Sequence, residues 1–227
     1  MKKRIFYSEL AYIFGILFLA VGTALMERAD FGVSMVVAPA YLIYLKLSQI
    51  FPFFSFGMAE YLLQGTILIL MMLILRRFRL SYLFSFVTAV IYGFVLDGAM
   101  WIVSLFPGAG TAARIAFYVI GFMGCGLGVS MLFHSYISPE VYELWVKEMS
   151  GRRGMDIHRY KTAYDCVSCL IAVILSFLFF GFGRFEGVKL GTILCSLCNG
   201  FIIGQFTKVL EKRWEFKDGL SLRRFFQ

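Results

Sequence analysis

The stretch that decides the fold runs from Asp30 to Tyr61 and reads DFGVSMVVAPAYLIYLKLSQIFPFFSFGMAEY. Asp30 and a Gly-Val-Ser turn open it, Pro39 interrupts an apolar run, and Glu60 stands just inside the next apolar segment. A related pattern returns about 105 residues later, around Pro139. Carboxylates and a proline in a duplicated apolar setting indicate a site at the interface between two halves of the chain.

The amino-acid composition is that of a membrane protein. Apolar residues make up 60% of the 227 residues and charged residues 16%, whereas a soluble domain typically carries about 25% charge. Several apolar runs approach or exceed the roughly 20 residues that cross a hydrocarbon core about 30 Å thick. No polar stretch is long enough to form a separate soluble domain, so we expect an all-α protein embedded in the lipid bilayer.

Six transmembrane helices are predicted, and the first of them is retained. The apolar run after Arg4 continues to about Met26 without a small-x-small cleavage site, so it is a span rather than a secretory signal. The predicted spans are residues 6–26, 57–76, 80–105, 113–134, 162–183 and 188–209.

The positive charges indicate the orientation in the membrane. With the N-terminus in the cytoplasm, 17 of the 22 Lys and Arg residues fall on the cytoplasmic side and five on the other. Short cytoplasmic loops are enriched in Lys and Arg, so both termini are predicted to be cytoplasmic. Because the basic residues lie between apolar segments, the net charge of +8 does not indicate a nucleic-acid partner.

Two segments, 30–56 and 135–160, do not fit as ordinary spans, although each contains a proline followed by a helix-like apolar pattern. We expect short re-entrant or interfacial helices that enter from opposite sides, since irregular backbone at membrane depth needs a covering of protein or water. The first and fourth spans align glycine on glycine at an offset of 106. Chance similarity between low-complexity apolar segments is the alternative explanation.

The predicted fold is therefore six transmembrane helices arranged as two inverted three-helix repeats, each with a short extra helix. Residues 1–107 form the first membrane repeat, 108–210 the second, and 211–227 a basic cytoplasmic tail. The aromatic residues from Trp214 to Phe226 give this tail the pattern of an interfacial anchor. A plain solvated tail is the alternative.

Five short motifs carry a family resemblance: ADFGVS (29–34), FGMAEY (56–61), LD (96–97), SPEVY (138–142) and KTAYD (161–165). With them the chain resembles the YczE/YitT-like bacterial integral membrane proteins over nearly its whole length. The resemblance implies a duplicated core in a bacterial inner membrane. Many of those proteins are described only as candidate transporters or accessory membrane proteins, so the resemblance implies no substrate. Here Ser34, unlike Ser138, is not followed directly by proline.

Three carboxylates within or at the ends of predicted spans are the first candidate substrate-binding residues: Glu60, Asp97 and Asp165. A carboxylate near the bilayer centre costs about 2.5–3.5 kcal/mol, so these side chains should face protein, water or a ligand. The duplication superposes Glu60 on Asp165, and we hypothesise that this pair couples a proton or cation to movement of a small solute. A structural hydrogen bond or a charge at a helix end is the alternative.

The paired loops supply two further candidates. Asp30 and Glu140 lie near the proline turns at Pro39 and Pro139. Each acid either contacts a ligand or caps a short helix, which is a common role for a carboxylate at such a place. The prolines shape the starts of those helices.

Aromatic and basic side chains complete the candidate site. Tyr41, Tyr61, Tyr142 and Tyr164 flank the same points and either line a cavity or belong to the aromatic belt at the membrane surface. Lys161 precedes the fifth span and either pairs with Asp165 one helical turn on or is an ordinary positive-inside residue.

The cysteines and histidines do not indicate a metal, cofactor or catalytic site. Cys166 and Cys169, like Cys195 and Cys198, have the CxxC spacing that suggests zinc in a soluble protein. Inside apolar spans, however, Cys usually packs as a small hydrophobe. The chain contains neither a Gly-rich phosphate loop with Lys nor a metal-binding His pair, so we expect no cofactor and no enzymatic activity.

The leading functional hypothesis is a transporter of an unidentified small molecule or ion, with its site between the two repeats. The first alternative is a non-transporting accessory protein that binds a partner protein or lipid through basic cytoplasmic loops. The second is a substrate-capture subunit of an ATP-driven importer. Small-xxx-small glycines also leave a homodimer open.

Overall fold

The structure, a computed structural model, describes residues 3–106, 110–181, 188–220 and 223. Two short strands, β1 (Arg4–Tyr7) and β2 (Trp214–Lys217), flank a set of helices. The helices are α1 (Ser8–Ala29), α2 (Ala38–Leu47), α3 (Phe56–Leu75), α4 (Leu80–Ser104), α5 (Thr111–Phe133), α6 (Val141–Arg153), α7 (Ile157–Phe180) and α8 (Leu190–Arg213).

Six of these helices are long and apolar enough to cross a bilayer, namely all except α2 and α6. At a rise of about 1.5 Å per residue, 20 or more residues span roughly 30 Å. The prediction of an all-α, multi-pass membrane protein with six spans is confirmed. The fifth span begins at Ile157, five residues earlier than predicted, because the Asp156 side chain accepts hydrogen bonds from the backbone N–H groups of His158 and Arg159 at 3.1 and 3.0 Å and caps the helix.

The two short helices predicted after the prolines are present as α2 and α6. Pro39 lies in the first turn of α2, where its missing N–H costs nothing. Both helices begin in the interior, with Ala38 and Val141 fully buried, and α6 runs outward to an exposed end at Arg153. The residues just before α2, Ser34, Val36 and Val37, line the same interior cavity as the first turn of α6, so the N-terminal ends of both short helices approach this cavity.

Glycines allow α1 and α5 to pack backbone against backbone. A Cβ atom on Gly22 would lie 2.6 Å from the carbonyl oxygen of Gly121, and one on Gly128 would lie 2.7 Å from that of Gly15. Since backbone atoms cannot move aside as a side chain can, only glycine fits at these positions. Gly15 of α1 contacts Gly128 of α5, whereas Gly22, which comes later in α1, contacts Gly121, which comes earlier in α5. The two helices are therefore antiparallel.

The first and second parts of the chain interlock through their short helices. Both α2 and α6 pack against α3 and α7. The loop before α2 is held by α8, where Thr192 Oγ1 donates to the Val33 carbonyl at 2.9 Å. The loop before α6 is held by α4, where Thr88 Oγ1 donates to the Ser138 carbonyl at 2.9 Å. Each loop is therefore fixed by the last long helix of the other part.

The two ends of the chain lie side by side. Strands β1 and β2 pair in parallel, and the ring of Phe6 lies 6.0 Å from that of Trp214 and 5.7 Å from that of Phe216. Within the predicted tail 211–227, the first three residues continue α8 and the next four form β2. The predicted anchor residues Phe225 and Phe226 lie outside the described residues.

Candidate functional site

A cluster of polar side chains is buried where α3, α7 and α8 meet the start of α6. None of its members is more than 5% exposed. We call it the central cluster; it comprises Glu60, Gln64, Glu140, Tyr142, Glu143, Lys161, Asp165 and Asn199.

Gln64 joins α3 to the first turn of α6. Its Nε2 donates to Glu60 Oε2 and to Glu140 Oε2, both at 3.2 Å, and its Oε1 accepts from the Val141 backbone N–H at 3.1 Å. The Tyr142 hydroxyl donates to Glu60 Oε2 at 2.9 Å. Both the amide nitrogen and the amide oxygen of Gln64 are therefore hydrogen-bonded, and two carboxylates accept from the same nitrogen.

Lys161 joins α7 to the other side of the same turn. Its Nζ lies 3.0 Å from Asp165 Oδ1, and it donates to Glu143 Oε1 at 3.3 Å. Asn199 Nδ2 donates to Asp165 Oδ2 at 3.0 Å. The predicted Lys161–Asp165 pair is confirmed. Lys161 is 1% exposed, so the alternative in which it serves only as a basic loop residue is wrong.

The first turn of α6 carries two of the four carboxylates. Glu140 is the N-cap residue and Glu143 lies three residues on, so one acid faces Gln64 and the other faces Lys161. The positive end of a helix dipole and its unpaired N–H groups stabilise anionic side chains at this position. The short helix thereby brings both acids into the interior in a partly stabilised form.

The central cluster carries more negative than positive groups. Four carboxylates face a single ammonium, that of Lys161, and buried charge without a partner is strongly unfavourable. Apart from Asp165 Oδ1, which lies 3.0 Å from Lys161 Nζ, three carboxylate oxygens of the cluster have no hydrogen-bond partner among the described residues: Glu60 Oε1, Glu140 Oε1 and Glu143 Oε2. Burial raises the pKa of Glu140 well above its ordinary value, and the neighbouring Glu143 and Glu60 raise it further. The arrangement therefore favours uptake of protons or of a cation.

Two cavities adjoin the central cluster. The side cavity, of about 520 Å³, lies between α2, α3, α6 and α7. Tyr142 and Tyr164 form part of its wall; the Tyr142 hydroxyl binds Glu60, and the Tyr164 ring lies 5.6 Å from Lys161 Nζ. The central cavity, of about 20 Å³, lies among residues of the cluster itself and is lined by Glu140 and Glu143.

Comparison with known protein families places the chain in one of them. A family model described as a family of unknown function, DUF6198, matches residues 6–208, which include every residue of the central cluster. The chain belongs to the DUF6198 family. No curated protein and no solved structure matches it. The matched family is one of unknown function, and the match does not name the YczE/YitT-like proteins.

In this DUF6198 protein, five residues singled out from the sequence come together in the central cluster: Glu60, Glu140, Tyr142, Lys161 and Asp165. Tyr164 lies at its border, in the wall of the side cavity. Glu60 and Asp165, which the predicted duplication superposes, are both fully buried. No hydrogen bond joins them directly in the described part of the chain; Gln64 links Glu60 to Glu140, and Lys161 links Asp165 to Glu143.

Asp97 lies outside the central cluster, at the junction of α3 and α4. Its Oδ2 accepts from Ser55 Oγ at 2.8 Å and its Oδ1 from the Gly57 backbone N–H at 2.9 Å. The carboxylate thus holds the start of α3 against α4, as a helix cap supplied from a neighbouring helix.

Asp30 likewise lies outside the central cluster. Its side chain is 64% exposed, and it forms ion pairs with Arg114, at 3.1 Å, and with Lys189. Asp30 follows α1 in a left-handed conformation, with φ of 58°. It therefore ties the end of α1 to the starts of α5 and α8.

The remaining two tyrosines contact other groups. The Tyr41 hydroxyl donates to Glu27 Oε1 at 3.3 Å, and its ring packs on Phe56. The Tyr61 ring packs 6.0 Å from that of Phe94. Neither contacts the central cluster through a hydrogen bond in the part of the chain that the structure describes.

Three members of the central cluster were not among the candidates predicted from sequence: Gln64, Glu143 and Asn199. Gln64 is one helical turn from Glu60 and on the same face, and Glu143 has the same relation to Glu140. Asn199 is the only asparagine in the chain. These spacings, and the single asparagine in an apolar span, were signals that could have identified them.

The CxxC cysteines do not gather into a metal site within the described ranges, where no group of three or more His, Cys, Asp or Glu side chains has a suitable arrangement. All five cysteines are free. Cys195 Sγ lies 3.0 Å from the Tyr118 hydroxyl, and Cys166 Sγ donates to the Ser196 carbonyl at 3.8 Å. They pack between helices, as expected for cysteine in apolar spans.

Proposed function

We propose that this DUF6198 protein is a membrane transporter that carries a small molecule through the side cavity and uses the central cluster to couple the movement to a cation or proton. One observation carries the proposal: four buried carboxylates with a single ammonium lie beside a cavity at the point where two short helices meet. Buried ionisable groups within a membrane bundle mark ion and substrate pathways.

The packing supports an inverted duplication of α1–α4 in α5–α8. Both sets have the order long, short, long, long. With the offset of 106, Gly15 corresponds to Gly121, and Gly22 corresponds to Gly128. Gly15 contacts Gly128, and the corresponding pair, Gly121 and Gly22, is also in contact. A two-fold axis in the membrane plane produces this correspondence. Inverted-repeat transporters place their sites at the repeat interface, between interrupted helices.

The side cavity fits a small molecule with an apolar body. Its volume of about 520 Å³ lies within the roughly 300–1,000 Å³ of typical ligand sites. Leu63, Ile67 and Val167 supply apolar walls, while Arg153 and Tyr160 supply polar groups where α6 ends and α7 begins. A substrate with a polar or anionic group at that end suits this lining.

The proposed location is a bacterial inner membrane with both termini in the cytoplasm. Removing the buried Lys161 from the cytoplasmic set leaves 16 basic residues against five on the other side, which retains the positive-inside asymmetry. The resemblance to YczE/YitT-like proteins points to the same membrane.

A second candidate function is an accessory protein that binds an anionic lipid or partner at the cytoplasmic face. A cavity of about 710 Å³ at that face is lined by four basic residues, Arg76, Arg77, Lys147 and Arg152. Clustered Lys and Arg beside membrane helices attract anionic headgroups. This observation favours binding but does not require transport.

A thiol-accessibility experiment separates transport from accessory binding without a known substrate. In a variant with the five native cysteines replaced, Ser168→Cys places a thiol in the wall of the side cavity. A transporter exposes that thiol to a membrane-impermeant maleimide from each side in turn, in right-side-out and in inverted vesicles. Labelling from one side only, under all conditions, contradicts transport.

The control for this experiment is Val119→Cys in the same background. Val119 is 49% exposed on α5 and is not among the side-cavity residues, so lipid covers it and a water-soluble reagent does not reach it. Labelling of Val119→Cys would show that the vesicles leak or that the bundle has unfolded.

A further inference from the structure

We propose that the central cavity is a binding site for one Na⁺ ion, held by Glu140 and Glu143 of α6 together with oxygens of Thr23, Ser34 and Asn199. This site deepens the proposed function, because it would supply the coupling ion. Only its role in coupling rests on that function; ion binding itself can be measured at equilibrium.

The size of the central cavity suits a single small occupant. Its volume is about 20 Å³, and roughly 10–15 Å³ is enough for one water-sized body. Residues from both parts of the chain line it: Thr23 and Ser34 from the first, and Glu140, Glu143 and Asn199 from the second. A bound ion would therefore join the two halves.

The free oxygens of the lining suit a cation. Glu140 Oε1 and Glu143 Oε2 are buried without a hydrogen-bond partner in the described ranges, and their residues are 1% and 3% exposed. Asn199 uses its amide nitrogen on Asp165 and retains its carbonyl oxygen as an acceptor. Buried oxygens left unpaired are costly, and a cation satisfies several of them at once.

The charge balance favours a cation over a water molecule. Four carboxylates and Lys161 leave three negative charges when all are ionised. One Na⁺ in the central cavity and one proton on Glu60, which does not line that cavity, reduce the excess to one. The N-terminal end of α6 contributes a positive charge of about half a unit. Lys161 also lines the central cavity, but it does not take the place of the ion, because its Nζ is bound to Glu143 Oε1 and Asp165 Oδ1.

The ligand set suits a monovalent rather than a divalent ion. Ca²⁺ takes about six to eight oxygens with several carboxylates, and Mg²⁺ requires near-ideal octahedral geometry. The central cavity has two carboxylates, and no group of three acids, cysteines or histidines in the described part of the chain is arranged for a metal. Two carboxylates together with neutral hydroxyl and amide oxygens therefore match a monovalent ion better than a divalent one.

The test measures Na⁺ binding by purified protein in detergent. The midpoint of thermal unfolding is followed while Na⁺ replaces choline at constant ionic strength and pH 8, and equilibrium binding of radioactive ²²Na⁺ gives the stoichiometry. We expect a saturable rise in Tm, as binding to the folded state requires, and one ion per chain. Glu140→Gln and Glu143→Gln should each weaken the apparent affinity about tenfold or more.

Two variants make the result specific. Glu148→Gln removes a carboxylate on the same helix that pairs with Arg79 and lies away from the central cavity, so its Na⁺ response should equal that of the unsubstituted protein. Thr23→Val keeps the side-chain shape while removing one ligand oxygen, and should weaken Na⁺ binding even if the Glu→Gln variants fold poorly.

Three results would overturn the site. One is a Tm that does not respond to Na⁺ but rises on acidification, which assigns the cavity to protons alone. Another is an unchanged Na⁺ response in Glu140→Gln, Glu143→Gln and Thr23→Val. The third is an equal response to choline and Na⁺. If Na⁺ binds but Ser168→Cys is labelled from one side only, the site stands and the transport function fails.

Discussion

Gln64 Oε1 accepts a hydrogen bond from the backbone N–H of Val141 at 3.1 Å. This contact fixes the first turn of α6 to the middle of α3, and it uses the side chain of one helix to satisfy an otherwise unpaired N–H at the start of another. The same amide nitrogen donates to two carboxylates. Gln64 therefore connects the two parts of the chain at the point where their charges are buried.

Gln64→Leu should destabilise the protein by about 3 kcal/mol or more, because it leaves the Val141 N–H and two carboxylates with fewer partners, each buried group costing about 1–3 kcal/mol. Chemical unfolding in detergent measures the change. Gln205→Leu, at an exposed position of α8, is the matched control and should have little effect. Equal stability of the two variants would argue against this role of Gln64.

Gly22→Ala should weaken the α1–α5 contact, since the new methyl group would lie 2.6 Å from a backbone carbonyl oxygen. Overpacking of this kind costs about 1–3 kcal/mol. Gly98→Ala is the control, because nothing lies within 4 Å of its Cβ, and alanine in a helix is favoured over glycine by about 0.5–1 kcal/mol. A stabilising Gly22→Ala substitution would contradict the close packing of these helices.

The main features of the fold could be predicted from the sequence because they depend on local signals. Apolar length predicts the spans, and the prolines at 39 and 139 mark the two short helices. The early start of α7 could not be predicted in the same way. Hydropathy places a helix boundary where polarity changes, whereas Asp156 starts this helix inside the polar loop by capping it.

The candidate site could be predicted only in part, because a charge is more conspicuous in an apolar span than a neutral amide is. Glu60 and Asp165 stand out by their charge, while the only signals for Gln64 and Asn199 are the spacing of Gln64 from Glu60 and the rarity of asparagine in this chain. Asp97 stands out equally, but its place near the end of α4 lets it cap α3 instead. Which acids share a cavity depends on how distant helices pack, and no local pattern contains that information.

Lys161→Met should destabilise the protein by about 3–5 kcal/mol, because removal of one partner leaves the others buried and unpaired. The double variant Lys161→Met/Asp165→Asn should be more stable than the single one, since it removes one of the charges left behind. Thermal unfolding of both variants measures the coupling. Lys208→Met, at an exposed position of α8, is the control. An additive double variant would show that the two groups do not interact.

Asp97→Ala should lower stability by about 1–3 kcal/mol through loss of the bonds to Ser55 and Gly57. Because Asp97 lies outside both the central cluster and the two adjoining cavities, the substitution should leave the Na⁺ response and the labelling of Ser168→Cys unchanged. The measurements are the unfolding midpoint and those two assays. A lost Na⁺ response with a normally folded protein would show that Asp97 belongs to the ion site.

Stability without Na⁺ should fall as pH rises above the ordinary range of a glutamate. The pKa of Glu140 is raised in the folded protein, chiefly by burial, so the folded state holds this proton more tightly than the unfolded state does. That contribution is complete below the unfolded pKa and is lost as pH rises through the folded pKa. The measurement is Tm in choline buffer from pH 5 to pH 9.

Glu140→Gln identifies the group responsible for this pH dependence. The amide cannot ionise, so the variant should lose less stability than the unsubstituted protein as pH rises, and Glu148→Gln should retain the full decline. Na⁺ should restore Tm at high pH in the unsubstituted protein and in Glu148→Gln but not in Glu140→Gln, because it replaces the missing proton as the positive charge beside Glu140. A decline of equal size in Glu140→Gln would assign the titration to another group of the central cluster.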